Sequence, residues 1–193
     1  MVEDRRYSAV AMTLHWIIAA LIVTQLCLGW YMNEGVPDHS PLQDRIQDIH
    51  VTVGLSMLIL VLVRIGWRLT HVAPPLPAGM PTWEKALAYI VHFVFYLLML
   101  AMPLTGWALV SVRHEDIPFF GLAWPAMPVL DHLAKTDAHA IGGKLKHLHI
   151  FILVWIVLIN LALHLAGALK HQFDGHPVLW RMAPVFKRPR TLA

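Results

Sequence analysis

Charge is what this sequence has least of. Only 14% of its 193 residues are Asp, Glu, Lys or Arg, against about a quarter in an ordinary soluble domain. Cysteine is scarcer still. The one thiol, Cys27, sits inside an apolar run, so no intramolecular disulfide can form and no Cys-x-x-Cys-His attachment motif exists. Its simplest reading is a small buried hydrophobe. There is no basic stripe and no nucleic-acid motif, which excludes a nucleic-acid partner. Internal repeats and low-complexity tracts are absent as well.

What remains is apolar length. The chain is 58% hydrophobic with a mean hydropathy of +0.58. Four apolar runs cover roughly 10–32, 49–69, 86–112 and 145–169. Each has about 20 residues or more, enough to carry a helix across about 30 Å of hydrocarbon. The runs lack the alternation of a membrane barrel, so helices are the structures that satisfy their backbone in lipid. These observations predict an all-α fold: one integral membrane domain over 1–193, built as a four-helix bundle in contact with membrane lipid. Cations set its orientation. Ten fall on one side, among them Arg5, Arg6, Arg64, Arg68, Lys85, Lys170, Arg181, Lys187, Arg188 and Arg190; the other side has Arg45, Arg113, Lys135, Lys144 and Lys146. Both termini are therefore expected in the cytoplasm, which makes the second to third helix linker, 71–81, cytoplasmic and leaves 33–48 and 113–144 outside. Trp30, Tyr31, Trp67, Trp83, Trp107 and Trp124 lie near span ends, as interfacial aromatics do.

Against this background histidine is in surplus: 13, nearly as many as the 15 Lys and Arg together. Ionisable groups are costly in lipid and mark function there. His15 lies about seven residues into the first helix, and His164 about seven residues before the end of the fourth, at one depth. His50 and His149 stand near the outer starts of helices two and four, at another. Two pairs at two depths are what two stacked haems require, each iron taking two imidazoles from facing helices. His149 and His164 are 15 residues apart, about 60° past four turns at about 100° per residue; a separation of 14 matches one face slightly better. His147, at 17, is about 100° off. His149 is the favoured ligand and His147 the alternative, with a π-bulge able to alter the choice.

Other residues are ambiguous. Arg64 and Arg68 follow His50 by 14 and 18 residues; they could pair with propionates of the inner haem or snorkel to the interface. Gly29, Gly54 and Gly106 could admit a flat macrocycle or simply form helix contacts. His92 on helix three is either a further ligand or a hydrogen-bonding neighbour. His39, His71, His114, His132, His139 and His176 fall in loops or tails, where solvation explains them.

Tyr7-Ser8, Leu14-His15-Trp16, Ile49-His50-Val51 with Arg64 and Arg68, Val91-His92 through Met102-Pro103 and Gly106, and Leu163-His164-Leu165-Ala166 through Lys170-His171 run in order along nearly the whole chain. Together they resemble the bacterial cytochrome b561 family. The resemblance implies two non-covalent b haems in the bacterial inner membrane. It implies iron ligands at His15, His50 and His164, with the fourth near His149, where the spacing is one residue longer than usual. The family includes ubiquinone-reducing superoxide oxidases, and related folds serve as cytochrome b subunits of hydrogenases. By resemblance, His171 lies near the quinone site.

The expected function is electron transfer from an outer-face donor, which could be superoxide, to ubiquinone at the inner face. The alternative is a haem-bearing anchor subunit that relays electrons from a partner dehydrogenase, hydrogenase or periplasmic c-type cytochrome. A transporter would need polar path-lining groups, and these helices offer mainly histidine.

Overall fold

A computed structural model describes residues 6–77, 79–174 and 178–183. Arg5, His176, Lys187, Arg188 and Arg190 lie outside these residues. The first span is α1 (Ala9–Trp30), continued by a π-helical turn, Tyr31–Gly35. Ser8 starts it by accepting a hydrogen bond from the Ala11 amide at 3.2 Å, which satisfies one of the free donors of the first turn. The second span, α2 (Pro41–Thr70), opens eight residues ahead of its apolar run. Ser40 caps the Gln43 amide, and Pro41 occupies the first turn, where its missing N–H costs nothing. It stops at His71, whose extended backbone leads into the proline-rich linker.

The third span, α3 (Thr82–Val112), runs with Pro103 inside it. The outer segment after it is only partly a loop. It holds a two-residue hairpin, β1 (Pro118–Phe119) with β2 (Leu122–Ala123), and a short helix α4 (Pro128–Asp131). The fourth span begins well before its apolar run, as α5 (Lys135–His147), passes through a π-helical segment Leu148–Leu153, and continues as α6 (Val154–Phe173). A final turn, α7 (Leu179–Met182), returns to the start of α1: Trp16 Nε1 donates to the Met182 carbonyl at 2.9 Å. The result is a four-helix membrane bundle, with four helices long and apolar enough to span.

The core lies along the bundle axis between the two ends. One cluster joins Ile18, Met57, Val61 and Met99; another joins Leu98, Leu153 and Val157. Large apolar side chains on the outer faces, including Ile17, Leu62, Phe93, Trp155 and Leu165, stay exposed, as a lipid-facing surface requires. Cys27 is exposed too, so it is not the buried hydrophobe that its apolar run suggested. Trp107 and Trp124 also differ from the expected belt. Their rings meet at 6.0 Å, and Trp107 Nε1 donates to the Pro125 carbonyl at 2.9 Å. They pack, half-buried, against a cluster of Leu55, Val110 and Ile117, because the outer segment folds back over the bundle.

Candidate functional site

The bundle brings the histidines together in two pairs. At the end that holds the start of α1, the rings of His15 and His164 face each other with centres 6.3 Å apart and planes at 62°. At the other end His50 and His149 do the same, also at 6.3 Å, with planes at 79°. All four are half-buried among apolar helices. The pairs are separated by roughly 22 Å along the fourth span.

The π-helical segment at Leu148–Leu153 explains how His149 and His164 share a face. A π turn takes up one residue more than an α turn, so a separation of 15 behaves as about 14. His147 falls before this segment, is exposed, and stacks on Phe151 at 5.3 Å instead of meeting His50.

Hydrogen bonds orient the outer pair. Thr105 Oγ1 donates to the Ala101 carbonyl at 2.7 Å and lies 2.9 Å from His149 Nδ1. In the Nδ1–H tautomer the hydroxyl oxygen accepts from the ring, which leaves Nε2 with a free lone pair. Two of the glycines stand against the ligand-candidate imidazoles. A Cβ at Gly106 would stand 3.3 Å from His149 Cε1, and one at Gly29 would stand 3.5 Å from His50 Cε1. Both make room for imidazole rings. Gly54 instead faces Gln25, whose Nε2 donates to the His50 carbonyl at 3.0 Å. His50 Nδ1 and Gln25 Oε1 are buried and have no hydrogen-bond partner.

The inner pair is packed differently. His92 and Phe95 each set a ring edge against His164 at 5.3 Å. His92 Nδ1 is held by the Ala88 carbonyl at 2.6 Å, and the residue is exposed. Arg64 Nη1 donates to the Ala11 carbonyl at 3.1 Å, one turn from His15. Arg68 lies a further turn toward the end and is exposed. His171 is not part of either pair; its Nε2 lies 3.6 Å from Glu84 Oε2.

These residues fit haem better than a bare ion. Among the described residues no cluster of three or more His, Cys, Asp or Glu could hold a metal, whereas a structural zinc takes about four protein ligands. A macrocycle that supplies the in-plane nitrogens needs two imidazoles only. Metal–imidazole bonds of about 2 Å on either side of one iron set the nitrogens about 4 Å apart and the ring centres a little over 6 Å apart. Both pairs have that spacing.

Thr105, Gln25 and Glu84 escaped the sequence reading. Each is a lone polar residue in or beside an apolar run, which was the available signal. Which neighbour it meets depends on helix rotation, which spacing along one helix does not reveal.

Comparison with known proteins agrees with this architecture. The family model described as prokaryotic cytochrome b561 matches residues 6–184. Cytochrome b561 homolog 2 of Escherichia coli K12 is 28% identical over 92% of this chain and 90% of its own. The probable superoxide oxidase CybB of Yersinia pestis is 27% identical over 88% of this chain and 90% of its own. Cytochrome b562 of Cereibacter sphaeroides is 27% identical over 72% of this chain and 80% of its own.

Proposed function

The chain belongs to the prokaryotic cytochrome b561 family, which makes it a haem b electron-transfer protein of a bacterial membrane, and on that premise we propose that it carries two haems and passes electrons from an outer-face donor to ubiquinone. His15 and His164 hold the inner iron; His50 and His149 hold the outer one. The observation that carries this reading is the pair of facing imidazoles at each end, with equal spacing. Haem supplies reversible one-electron chemistry when bound. With both imidazoles of each pair engaged by haem, a donor would give up its electron at the protein surface rather than at the metal. The protein's own task is to fix those imidazoles, keep the space between them apolar and bring the donor and acceptor near the two ends.

Arg64, near the His15 level, and Arg68, one turn further out, are the cations available to inner propionates. The excess of cations on the side of the chain start supports a cytoplasmic position for that side, and the family supports the inner membrane as its location. Superoxide suits the outer end. Lys144 and Lys146 stand in the last turn of α5, directly before His149; local positive charge draws a small anion. The experiment is a reduced-minus-oxidised spectrum with haem quantitation, followed by stopped-flow mixing with superoxide. About two b haems per chain and haem reduction faster than spontaneous dismutation are expected. One haem removes a pair, and no fast reduction removes superoxide as donor.

One observation favours the anchor-subunit alternative. Phe120, Leu122 and Val129 project exposed from the outer segment, where a partner dehydrogenase, hydrogenase or periplasmic cytochrome could dock. Purification in mild detergent separates the two: a stoichiometric partner supports the anchor.

A further inference from the structure

Gln25 and Gly29 on α1 face His50 and Gly54 on α2. In each helix the two positions are four residues apart, one turn along one face. The polar side chain of each helix lies over the glycine of the other. A Cβ at Gly29 would stand 3.5 Å from His50 Cε1 and 4.0 Å from His50 Nδ1, and one at Gly54 would stand 2.9 Å from Gln25 Nε2. The His50 ring thus turns its Nδ1–Cε1 edge to α1, and Nε2 is the ring nitrogen farther from that helix.

Only half of the Gln25 amide is used. Its Nε2 donates to the His50 carbonyl at 3.0 Å. A carbonyl can only accept, so this end of the amide must be the nitrogen. Oε1 is then the acceptor end, and it is buried without a partner; His50 Nδ1 is buried without one too. Among the described residues four side-chain atoms are in that condition, and two of them belong to this one contact. Buried polar atoms are rarely left unpaired, and each such case calls for a reason.

Haem ligation supplies the reason. A neutral imidazole carries one ring proton, so with Nε2 engaged by iron that proton must sit on Nδ1. The two unpaired atoms then become a donor and an acceptor in the same seam. We propose that Gln25 is the orienting partner of His50 in the haem-loaded chain, its Oε1 accepting from Nδ1–H while its Nε2 keeps the His50 carbonyl. The proposal rests on the two-haem reading above. Gln25 touches neither iron nor donor and is a positioning residue. It stands to His50 as Thr105 stands to His149, so each imidazole of the outer pair has its own acceptor.

The plain alternative is that Gln25 only clips α1 to α2 through the His50 carbonyl. The two roles separate in the full haem-loaded chain in nanodiscs, titrated potentiometrically, the outer midpoint being the one that His149→Ala removes. Gln25→Leu keeps the bulk and removes both donor and acceptor. An imidazole without its acceptor gives less electron density to iron. Ferrous over ferric outer haem should gain about tenfold, an upward shift of about 59 mV for a one-electron couple. Outer haem should also pass to apomyoglobin about tenfold faster, with the inner haem at the parent's rate. Gln25→Glu keeps an acceptor oxygen in either protonation state and loses the amide N–H, so its outer midpoint should lie at or below the parent's. If Gln25→Leu does not assemble, Gly54→Ala, which displaces the amide, should raise the outer midpoint by a smaller amount. An unmoved outer midpoint in whichever of these two assembles overturns the proposal. So do equal upward shifts in the Leu and Glu variants, which mark a clip, or equal shifts of both haems. A parent chain with a single haem that His149→Ala leaves in place overturns the two-haem reading itself, and the proposal with it.

Discussion

The two histidine pairs have the same spacing and different surroundings. The outer pair is braced: Thr105 Oγ1 stands 2.9 Å from His149 Nδ1, Gly29 and Gly106 admit the rings closely, and the outer segment packs over that end. The inner pair is held by ring edges from His92 and Phe95, beside Arg64 and two turns from a polar cavity. The contrast teaches a division of labour. The outer end is closed over its pair, whereas the inner end keeps polar groups and space near its own.

The strongest test of the braced end is loss of a ligand. His149→Ala should reduce haem from two per chain to one, measured by pyridine haemochrome quantitation, while His147→Ala should keep both. Loss of a haem in the His147 variant alone would reverse the assignment. Gly106→Val comes next. A Cβ there already lies 3.3 Å from His149 Cε1, and two added methyls must displace the ring. Outer haem occupancy should fall by more than half. Gly66→Val is the matched control, since nothing stands within 4 Å of a Cβ at Gly66. Equal haem loss in both would show that the effect is not local.

A subtler change makes His149 resemble His50, whose Nδ1 has no partner. Thr105→Val removes the acceptor of the Nδ1–H bond, which makes the imidazole a weaker donor to iron. The outer midpoint potential should rise by tens of millivolts on the scale of such hydrogen bonds, with the inner midpoint unmoved. Potentiometric titration reads both. A shift of the inner midpoint alone would mean that the two pairs have been assigned to the wrong ends.

How far this contrast was legible in the sequence depends on the distance over which each feature is encoded. Helix number and the depth pairing of His15 with His164 follow from run length and residue counting, which are local. Spacing favours His149 over His147, and the π segment at Leu148–Leu153, which depends on packing against neighbouring helices, brings His149 onto the face of His164. Polar residues carry the helices of the second and fourth spans beyond their apolar runs, over 41–48 and 135–144. Hydropathy marks the lipid slab; capping residues such as Ser40 mark the helix. That Gly29 and Gly106 stand against imidazole rings and Gly54 against an amide is set by relative helix rotation, which spacing along one helix does not reveal.

Gly54→Ala should have the smallest effect of all. A Cβ at this position would come within 2.9 Å of Gln25 Nε2. That atom is the far end of a flexible side chain, so it can withdraw. Withdrawal breaks the 3.0 Å bond to the His50 carbonyl, a loss of about 1 kcal/mol at most for a neutral hydrogen bond. Thermal unfolding followed by haem absorbance should therefore shift only slightly, and haem content should hold. The route of the effect can be checked as well as its size. If the cost passes through Gln25, then Gly54→Ala should become neutral in a Gln25→Ala background, because the clashing amide is gone. Additive losses would instead place the cost in the α1–α2 backbone contact. In that case the packing of the two helices, rather than the amide, would be what keeps His50 in register with His149.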